Sequence, residues 1–300
     1  MARLAPVTTA ISPPQVEAAW DTALAAARRS GVEVRTLHTM DELNEARAVW
    51  DATWPTIAGA TEMTANMVRA IEHSGGYVSG AYDGGRMIGA CLAIVGRTRA
   101  DGGWHDHLHS HMASTVPGLA DRGIGTALKL HQRAWALAQD IDRVEWTFDP
   151  LVRRNARVNL VKLGAVATQY LVDFYGRMDD ALNAGEPSDR LMARWDIASP
   201  RVSAALTGER SSRTREEWLA DGAEDALVVE AKDEPRVVPT SARTTLVALP
   251  GDIVDIRRTD GGLARAWRMA VREALAPVRD GEAVVVGLTS DNRYVVEATA

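Results

Sequence analysis

Two glycines at alternating positions, Gly123 and Gly125, precede a helical pattern and give the strongest chemical signal in the sequence. Because glycine has no side chain, such a turn lets the backbone approach a ligand closely. The unpaired amides and positive dipole end of the following helix then favour phosphate. The pattern predicts a pyrophosphate site, with a plain tight turn into a packed helix as an equal alternative. The residues assigned to the site are Asp121, Arg122, Gly123, Ile124, Gly125 and Thr126.

Two common phosphate-binding motifs do not fit this turn. A dinucleotide-binding fingerprint needs a third glycine at a fixed spacing and a short strand directly before the turn. A P-loop needs Gly-Lys-Ser/Thr at its end. Residues 119–135 contain neither arrangement. We therefore exclude the Rossmann and P-loop interpretations.

Four of the seven histidines occupy every second position: His105, His107, His109 and His111. In an extended strand they would share one face, which could hold zinc or nickel. The accompanying carboxylate, Asp106, would point to the opposite face, so no metal is expected. A solvated loop tip is favoured for the first two histidines. For the last two, a core histidine bonded to backbone and a catalytic base are both open.

The composition restricts the possible classes of protein. Of 300 residues, 46% are hydrophobic and 25% are charged, which excludes disordered and fibrous proteins. A net charge of -6 argues against general binding to nucleic acid or anionic membranes. The single cysteine, Cys91, cannot form an internal disulfide or a four-cysteine zinc site. These features predict a cytoplasmic protein.

The sequence also predicts no export signal and no membrane span. Prolines and charges interrupt the alanine-rich segment 1–31, so it has no apolar core of a signal peptide. No run of about 18 apolar residues occurs. Ser12 and Pro13 instead fit the start of a helix that ends before Gly31. We interpret 1–31 as an N-terminal helical appendage.

Hydrophobic periodicity predicts an α/β domain over 32–198. A right-handed crossover is expected to contain the glycine turn, its helix, the next strand and a helix closed by Gly164. The predicted elements before the turn are a strand at 32–37, helices at 40–54 and 64–73, a hairpin around 83–85, a polar tip at 99–103 and a strand from near Leu108. Strands at 165–172 and 190–197 follow the crossover.

The rest of the chain predicts a linker and a small subdomain. Segment 199–242 is charge-rich and weakly periodic, so we interpret it as irregular. Residues 243–300 contain a strand, a helix and a hairpin pattern. These elements bury little apolar surface alone, so this α/β extension is expected to dock on the main sheet or to mimic half of it.

In its context, the glycine turn resembles motif A of the GNAT superfamily of N-acetyltransferases, in which R/Q-x-x-G-x-G/A follows the fourth strand. The resemblance spans about Val32 to Ile197 and includes the element order and the K-L-G triplet ending at Gly164. The family's first Arg or Gln falls on Ala120, and Arg122 could supply the missing charge. The runs SHM, TFDP, FYG and LNAG further resemble a bacterial branch of predicted acetyltransferases with a C-terminal extension.

The resemblance implies a mixed, mostly antiparallel central sheet flanked by helices, with acyl-CoA bound where the fourth strand splays from the fifth. Free backbone groups of the fourth strand would pair with the pantetheine arm. The corresponding residues are Met112, Ala113, Ser114, Thr115 and Val116. Asn155 stands where the family's side chain often holds the pantetheine, with an ordinary surface Asn at a helix start as an equal alternative.

The catalytic groups depart from the family pattern. In many members a tyrosine shortly before the helix-ending glycine protonates the departing thiolate, but Asn159 and Leu160 stand there. We nominate Tyr175, on the later loop, as the general acid. We nominate His111 over His109 as the base, because the acceptor amine would arrive there and an imidazole pKa of about 6.5 suits an ammonium.

Two acidic residues are further candidates. Asp149 ends the fifth strand beside the same cleft, and Pro150 would hold the chain extended and point the carboxylate outward. Its partner would be a substrate ammonium or His111, while capping of the next turn is an equal alternative. Asp189 and Arg190 could belong to a loop that closes over substrate, or could form a solvated ion pair.

Together these features predict an enzyme that moves an acetyl or other short acyl group from acyl-CoA to an amine by direct attack in a ternary complex. Acetyl-CoA is the expected co-substrate, without a metal. The expected partner is a small-molecule amine, with a homodimer and an acyl-carrier protein donor as further candidates. Two alternatives stay open: a non-catalytic acyl-CoA or acyl-carrier binding module, and a metal-dependent enzyme using the His105–His111 strand.

Overall fold

A computed structural model describes residues 11–55, 61–100, 102–119, 122–176 and 187–299. All strands in these ranges join one sheet. The strands are β1 (Glu33–Thr36), β2 (Tyr77–Asp83), β3 (Arg86–Ala100), β4 (Gly103–Thr115), β5 (Arg143–Phe148), β6 (Val166–Leu171), β7 (Arg190–Asp196), β8 (Glu224–Val229), β9 (Pro235–Val237), β10 (Thr244–Ala248), β11 (Ala283–Leu288) and β12 (Arg293–Ala298). Their order across the sheet is β1-β2-β3-β4-β5-β7-β6-β11-β12-β10-β8-β9. Only β4–β5 and β10–β8 are parallel among these described strands. The predicted mixed, mostly antiparallel sheet is confirmed.

Helices cover this sheet on both faces. They are α1 (Pro13–Arg29), α2 (Met40–Thr53), α3 (Ala65–His73), α4 (Ile124–Ala138), α5 (Arg153–Ala156), α6 (Pro200–Thr207), α7 (Arg215–Ala220), α8 (Ile253–Thr259), α9 (Gly261–Ala274) and α10 (Ala276–Arg279), with a π-helical turn at Arg157–Lys162 and a 3₁₀ turn at Ala231–Asp233. Within the described ranges, none of these helices has both the length and the apolar run needed to cross a bilayer.

Local sequence signals explain where the first helices begin. Ser12 and Gln15 form a reciprocal capping box at the start of α1, and Thr39 and Glu42 form another at the start of α2. Small buried alanines on one side of α1 let it pack closely against α4. On the other sheet face, α2 and α3 cover a second core cluster that includes Trp50. The helix predicted at the N-terminus is therefore part of the layer that supports α4.

The β3–β4 hairpin is longer than the sequence predicted. The strand start expected near Leu108 is wrong, because β4 begins at Gly103. β3 ends at Ala100, so the hairpin reverses within the polar tip expected at 99–103. Polar side chains pair across the two strands: Arg97 Nε donates to Asp106 Oδ1 at 2.8 Å. Cross-strand pairs of this kind stabilise a solvated hairpin without apolar alternation.

The segment 199–242, predicted to be irregular, contains α6, α7, β8 and β9. Trp218 and Leu219 of α7 pack against Ala223, Leu246 and Val295. Each of these elements is short, so its periodicity spans too few residues to be recognised in sequence. The C-terminal part docks on the main sheet, because β11 pairs with β6 at Val285 and Ala167.

Gly164 closes the π-helical turn, where the sequence predicted the end of a single helix. Its φ of 72° is left-handed, and an added Cβ would lie 2.7 Å from Ala205 Cβ. We expect Gly164→Ala to lower the free energy of unfolding by about 2 to 3 kcal/mol, from left-handed strain and overlap with α6. Gly208→Ala is the matched control, because Gly208 has φ of 79° but open space around it. Equal losses in urea unfolding would contradict the overlap argument.

Candidate functional site

The cleft between β4 and β5 is the candidate site. These strands pair only where Leu108 opposes Val144 and His109 opposes Glu145. Beyond that point β4 continues along β3, and β5 continues along β7. Each strand therefore turns an unpaired edge toward the other, with free backbone donors and acceptors. The splay that the sequence resemblance implied is present.

A β-bulge at His111 lies where the two strands separate. Leu92 of β3 opposes Met112, and Ala93 opposes Ser110, so His111 has no partner across the β3–β4 ladder. The extra residue reverses the alternation of side chains. Ser110 contacts Lys129 of α4, whereas Met112 packs in the core cluster beneath α2 and α3. His111 itself is exposed.

The residues predicted to pair with pantetheine follow this bulge. Met112, Ala113, Ser114 and Thr115 form the unpaired edge of β4, and Val116 comes directly after the strand. The Val116 amide donates to the Ile88 carbonyl at 2.9 Å, so this amide is already occupied. Thr53 Oγ1 of α2 donates to Ser114 Oγ at 3.0 Å, which holds α2 against the same strand.

The start of α4 is the predicted pyrophosphate site. Gly123 is its N-cap with φ of 81°, and an added Cβ would lie 2.9 Å from Ser30 Oγ. Because this cap has no side chain and the first turn has no acidic residue, the first amides of α4 lack a side-chain acceptor. Gly125 is exposed, with nothing within 4 Å of an added Cβ. These properties are compatible with both the predicted pyrophosphate site and its alternative, a plain tight turn into a packed helix.

The other residues assigned to the turn differ in their surroundings. Ile124 is fully buried and anchors α4, while Thr126 is half-buried. Arg122 donates to Asp83 Oδ2 at 2.9 Å and to the Ser30 carbonyl at 3.3 Å. Its guanidinium is therefore already paired. Asp121, also assigned to the site, lies outside the described residues, as does Ala120.

The histidine strand does not assemble a metal site in the described part of the chain. Nowhere in the described ranges do three or more His, Cys, Asp or Glu side chains group so as to hold an ion. The His107 ring lies against Gly96, where a Cβ would approach Nε2 to 2.6 Å. Its Nδ1 is 3.3 Å from Thr98 Oγ1 and its Nε2 is 3.8 Å from Glu145 Oε2. His107 therefore has cross-strand partners.

His109 and His111 are close together, with ring centroids 6.1 Å apart. Burial, then the nearby His111, His107 and Lys129, lower the pKa of His109 to about 4. Although His111 keeps an exposed surface, the surrounding protein removes part of its solvent and lowers its pKa, and Glu62 opposes this shift. Both imidazoles are therefore neutral at neutral pH, and His111 is the more exposed of the two.

Asp149 is not the outward carboxylate predicted from Pro150. It is 9% exposed, and both of its oxygens accept hydrogen bonds from arginines of the C-terminal part. Arg268 donates to Oδ1 and Oδ2 at 2.9 Å, and Arg257 donates to Oδ2 at 2.6 Å. The Leu151 amide also donates to Oδ1, as the capping alternative predicted. The proposed pairing with His111 or a substrate ammonium is therefore wrong.

The charges around Asp149 explain how a carboxylate is tolerated in this interior. Burial alone would raise the pKa of Asp149, but hydrogen bonds and charge from Arg268 and Arg257 lower it far below its usual value. Tyr294 OH donates to the Pro150 carbonyl at 2.8 Å. The end of β5 is thus fixed by residues from α8, α9 and β12.

Tyr175 lies at β5 beside the cleft. Its hydroxyl is 2.9 Å from Thr147 Oγ1, and the residue is 41% exposed. The Tyr175 amide donates to Ser188 Oγ at 2.9 Å, which fixes the loop. The Arg190 guanidinium lies 5.4 Å from the ring centroid. The structure therefore places this hydroxyl on the strand that borders the cleft.

Asp189 and Arg190 are buried, so their interpretation as a solvated ion pair is wrong. Asp189 accepts hydrogen bonds from Arg272 at 2.8 and 2.9 Å and from Tyr170 OH at 2.6 Å. The Asp173 amide donates to the same carboxylate at 3.1 Å. Asp189 therefore ties the 172–176 loop to α9.

The positions that the family resemblance singled out, Asn155, Asn159 and Leu160, lie on α5 and the π-helical turn that follows it. Asn155 is exposed on α5, as a pantetheine contact or a surface residue would be. Leu160 is 1% exposed and belongs to the main core. Asn159 is buried, and its Nδ2 has no partner among the described residues. The buried Leu160 leaves no acid at the family's tyrosine position.

A buried polar cluster beneath the cleft was missed in the sequence. Lys129 Nζ donates to Ser110 Oγ at 2.7 Å and lies 4.0 Å from the centroid of the Trp146 ring. Gln132 Nε2 lies 3.3 Å from Cys91 Sγ. Burial lowers the pKa of Lys129 to about 8. The sequence signal for this cluster was Lys129, which lies inside the apolar stripe of α4.

No protein-family model and no curated protein matches the sequence. Solved N-acetyltransferase structures are similar to part of the chain. The ribosomal-protein-S18-alanine N-acetyltransferase from Escherichia coli matches at TM-score 0.43 and 12% identity, over 56% of this chain and 95% of its own. Naa20 from Chaetomium thermophilum, in complex with a bisubstrate analogue, matches at TM-score 0.42 and 18% identity, over 57% and 92%. Arabidopsis thaliana Naa50, in complex with the bisubstrate analogue CoA-Ac-MVNAL, matches at TM-score 0.41 and 12% identity, over 55% and 97%.

Proposed function

We propose that the protein transfers an acetyl or other short acyl group from acyl-CoA to the amine of a small molecule in the cytoplasm. One observation carries this proposal: unpaired edges of β4 and β5 face each other next to the uncapped start of α4. The chain runs from β4 into α4, and α4 contacts both strands. These are the same segments in which the sequence resembles motif A of the GNAT superfamily.

The donor fits both halves of this arrangement. Pantetheine carries amide groups along a thin chain, and such a chain can pair with a free strand edge as an added strand does. We assign it to Met112–Val116, with Asn155 beside the reactive end. The diphosphate of CoA suits the free amides at a helix start. We assign it to Asp121–Thr126.

The acceptor amine reacts at the bulge in β4. The ammonium gives its proton to His111, and the nitrogen lone pair attacks the thioester carbonyl carbon. A β4 amide stabilises the charge that develops on oxygen. The C–S bond then breaks, and the departing thiolate takes a proton from the Tyr175 hydroxyl. The acylated nitrogen loses its surplus proton to solvent, and solvent reprotonates the Tyr175 oxygen and takes the proton held by His111. Alignment of two bound reactants can supply about 7 to 11 kcal/mol, so positioning is the larger share of catalysis.

Thiol release tests this function directly. The full-length protein is incubated with acetyl-CoA and pooled small amines, and free CoA thiol is measured against reactions lacking amine or protein. Amine-dependent release supports the proposal. Saturable CoA binding without turnover on any amine would identify a binding module instead. Stoichiometric zinc that survives dialysis and is needed for turnover would favour the metal-dependent alternative.

His111→Gln is expected to lower kcat/KM about 100-fold, which is typical for loss of a general base. Wild-type activity should fall as pH drops through a value below 6.5, because the pKa of His111 is lowered and the protonated ring cannot accept a proton. The variant should lack this acidic limb. His73→Gln removes an exposed histidine on α3 and is the control. An unchanged pH profile in His111→Gln would exclude the base role.

A further inference from the structure

A cavity of about 340 Å³ lies where the π-helical turn meets the C-terminal part of the chain. Leu160 and Val161 border it from the π-helical turn, and Trp218 borders it from α7. β11 and β12 also line it, including Val286 and Gly287. Its volume falls within the range of small-molecule sites. None of the residues assigned to acyl-CoA lines this junction cavity.

Two arginines give the junction cavity more positive charge than its one acidic lining residue, Glu297, can offset. Arg201 Nε donates to the Gly164 carbonyl at 2.9 Å, and its Nη2 donates to the Val286 carbonyl. These neutral partners satisfy hydrogen bonds but leave the charge unpaired. The Arg210 side chain is exposed and has no hydrogen-bond or ion-pair partner among the described residues. Glu297 is the only acid among the residues lining the cavity.

The surroundings of Arg201 disfavour its positive charge. Burial, and then repulsion from Arg210, lower the pKa of Arg201 to about 10, against the opposing attraction of Glu297. Arg213 is different, because its Nη2 pairs with Asp221 Oδ2 at 2.6 Å. Arg201 and Arg210 are therefore the two charges open to a ligand.

The opposite wall of the cavity is apolar. Trp218 packs with Val286 and Val295 in the small core of the C-terminal part. The Arg213 guanidinium lies 4.5 Å from the centroid of the Trp218 ring and fixes its orientation. Ser211 and Ser212 add hydroxyl donors beside the arginines. A ligand for this space needs an anionic end and an apolar body.

We propose that the junction cavity binds a small organic anion, with its carboxylate or phosphate group on Arg201 and Arg210 and its apolar body against Trp218 and Val286. The site is separate from the acyl-CoA cleft, so it does not depend on the proposed function. An anion would offset the positive charge of Arg201 and Arg210 that Glu297 leaves unbalanced, and the fork geometry of guanidinium suits both groups.

Calorimetry on the full-length protein tests this site with three probes of similar size: benzoate, phenyl phosphate and the neutral benzyl alcohol. We expect saturable binding of at least one anion and binding of the alcohol at least about tenfold weaker. Preference for benzoate identifies a carboxylate ligand, and preference for phenyl phosphate identifies a phosphate ligand. Failure of both anions to saturate at millimolar concentration would overturn the proposal, whatever the outcome with acetyl-CoA.

Three variants locate the binding. Arg210→Gln should weaken anion binding about tenfold, whereas Arg265→Gln, which removes an exposed arginine of α9, should leave it unchanged. Gly287→Leu should abolish binding by filling the cavity, because nothing lies within 4 Å of an added Cβ there and the backbone needs no change. Equal weakening by both arginine variants, or full binding in Gly287→Leu, would place the anion elsewhere and overturn the proposal.

Discussion

Gly125→Asp is expected to weaken CoA binding at least about 100-fold while the free energy of unfolding stays equal or increases. Gly125 lies in the first turn of α4 and is exposed, with nothing within 4 Å of an added Cβ. The substitution removes a glycine from a helix and places a negative charge at its N-terminus, and both changes favour the helix. Folding is therefore not expected to suffer.

The same charge opposes a bound diphosphate. At about 5 Å and an effective dielectric constant near 20, two unit charges of like sign repel by about 3 kcal/mol, which corresponds to more than 100-fold in affinity. The carboxylate also competes for the first amides of α4, because they have no other side-chain acceptor. Calorimetric titration with CoA measures the loss, and urea unfolding measures the stability.

Two controls separate the anion site from general charge effects. Gly125→Ala adds a Cβ without charge and should retain binding within about threefold. Gly261→Asp makes the identical change in the first turn of α9, where a Cβ also meets open space, and should not alter CoA binding. Wild-type affinity in Gly125→Asp would show that α4 does not hold the diphosphate.

Asp149→Asn is expected to lower the free energy of unfolding by about 3 to 5 kcal/mol, the usual cost of removing one partner from a buried ion pair. The side chain is nearly isosteric, so packing changes little. Arg268, which is 1% exposed, would lose its anionic partner. Because Asp149 follows β5, the loss should also loosen the strand that carries Thr147 and Tyr175.

Urea unfolding of full-length variants measures this effect. Arg268→Met keeps the ion pair between Asp149 and Arg257, so it should lower the free energy of unfolding less than Asp149→Asn does. This variant allows the ion-pair network to be measured even if Asp149→Asn fails to fold. Asp280→Asn breaks an exposed pair with Arg279 and should cause no measurable change. A loss below about 1 kcal/mol in Asp149→Asn would show that the arginines do not depend on this carboxylate.

The family resemblance came from short segments whose conformation depends on near neighbours. Gly123 has a left-handed φ at the start of α4. Gly84 and Gly85 have left-handed φ angles in the turn between β2 and β3. Ser12 and Thr39 cap helices through residues three positions away. These interactions reach only a few residues along the chain. The element order and the glycine turn could therefore be predicted with no knowledge of tertiary packing.

The assignments of Asp149 and Asp189 depended on residues far away in the chain. Their arginine partners lie 119 and 83 positions later, in a helix that the sequence placed in a separate small subdomain. Both carboxylates face inward because α9 delivers paired charges to them. A local rule such as the extended conformation before proline orients the backbone, but it cannot state which charge will meet the side chain.

The sequence by itself determined the α/β class, the glycine-initiated helix and the hairpin beside it, because backbone sterics and capping act over a few residues. Tertiary structure alone decided that a bulge at His111 opens the edge of β4, that Lys129 is buried, and that arginines of α8 and α9 neutralise Asp149 and Asp189. These outcomes depend on strand register and on contacts between distant segments, which are set only when the whole sheet has formed.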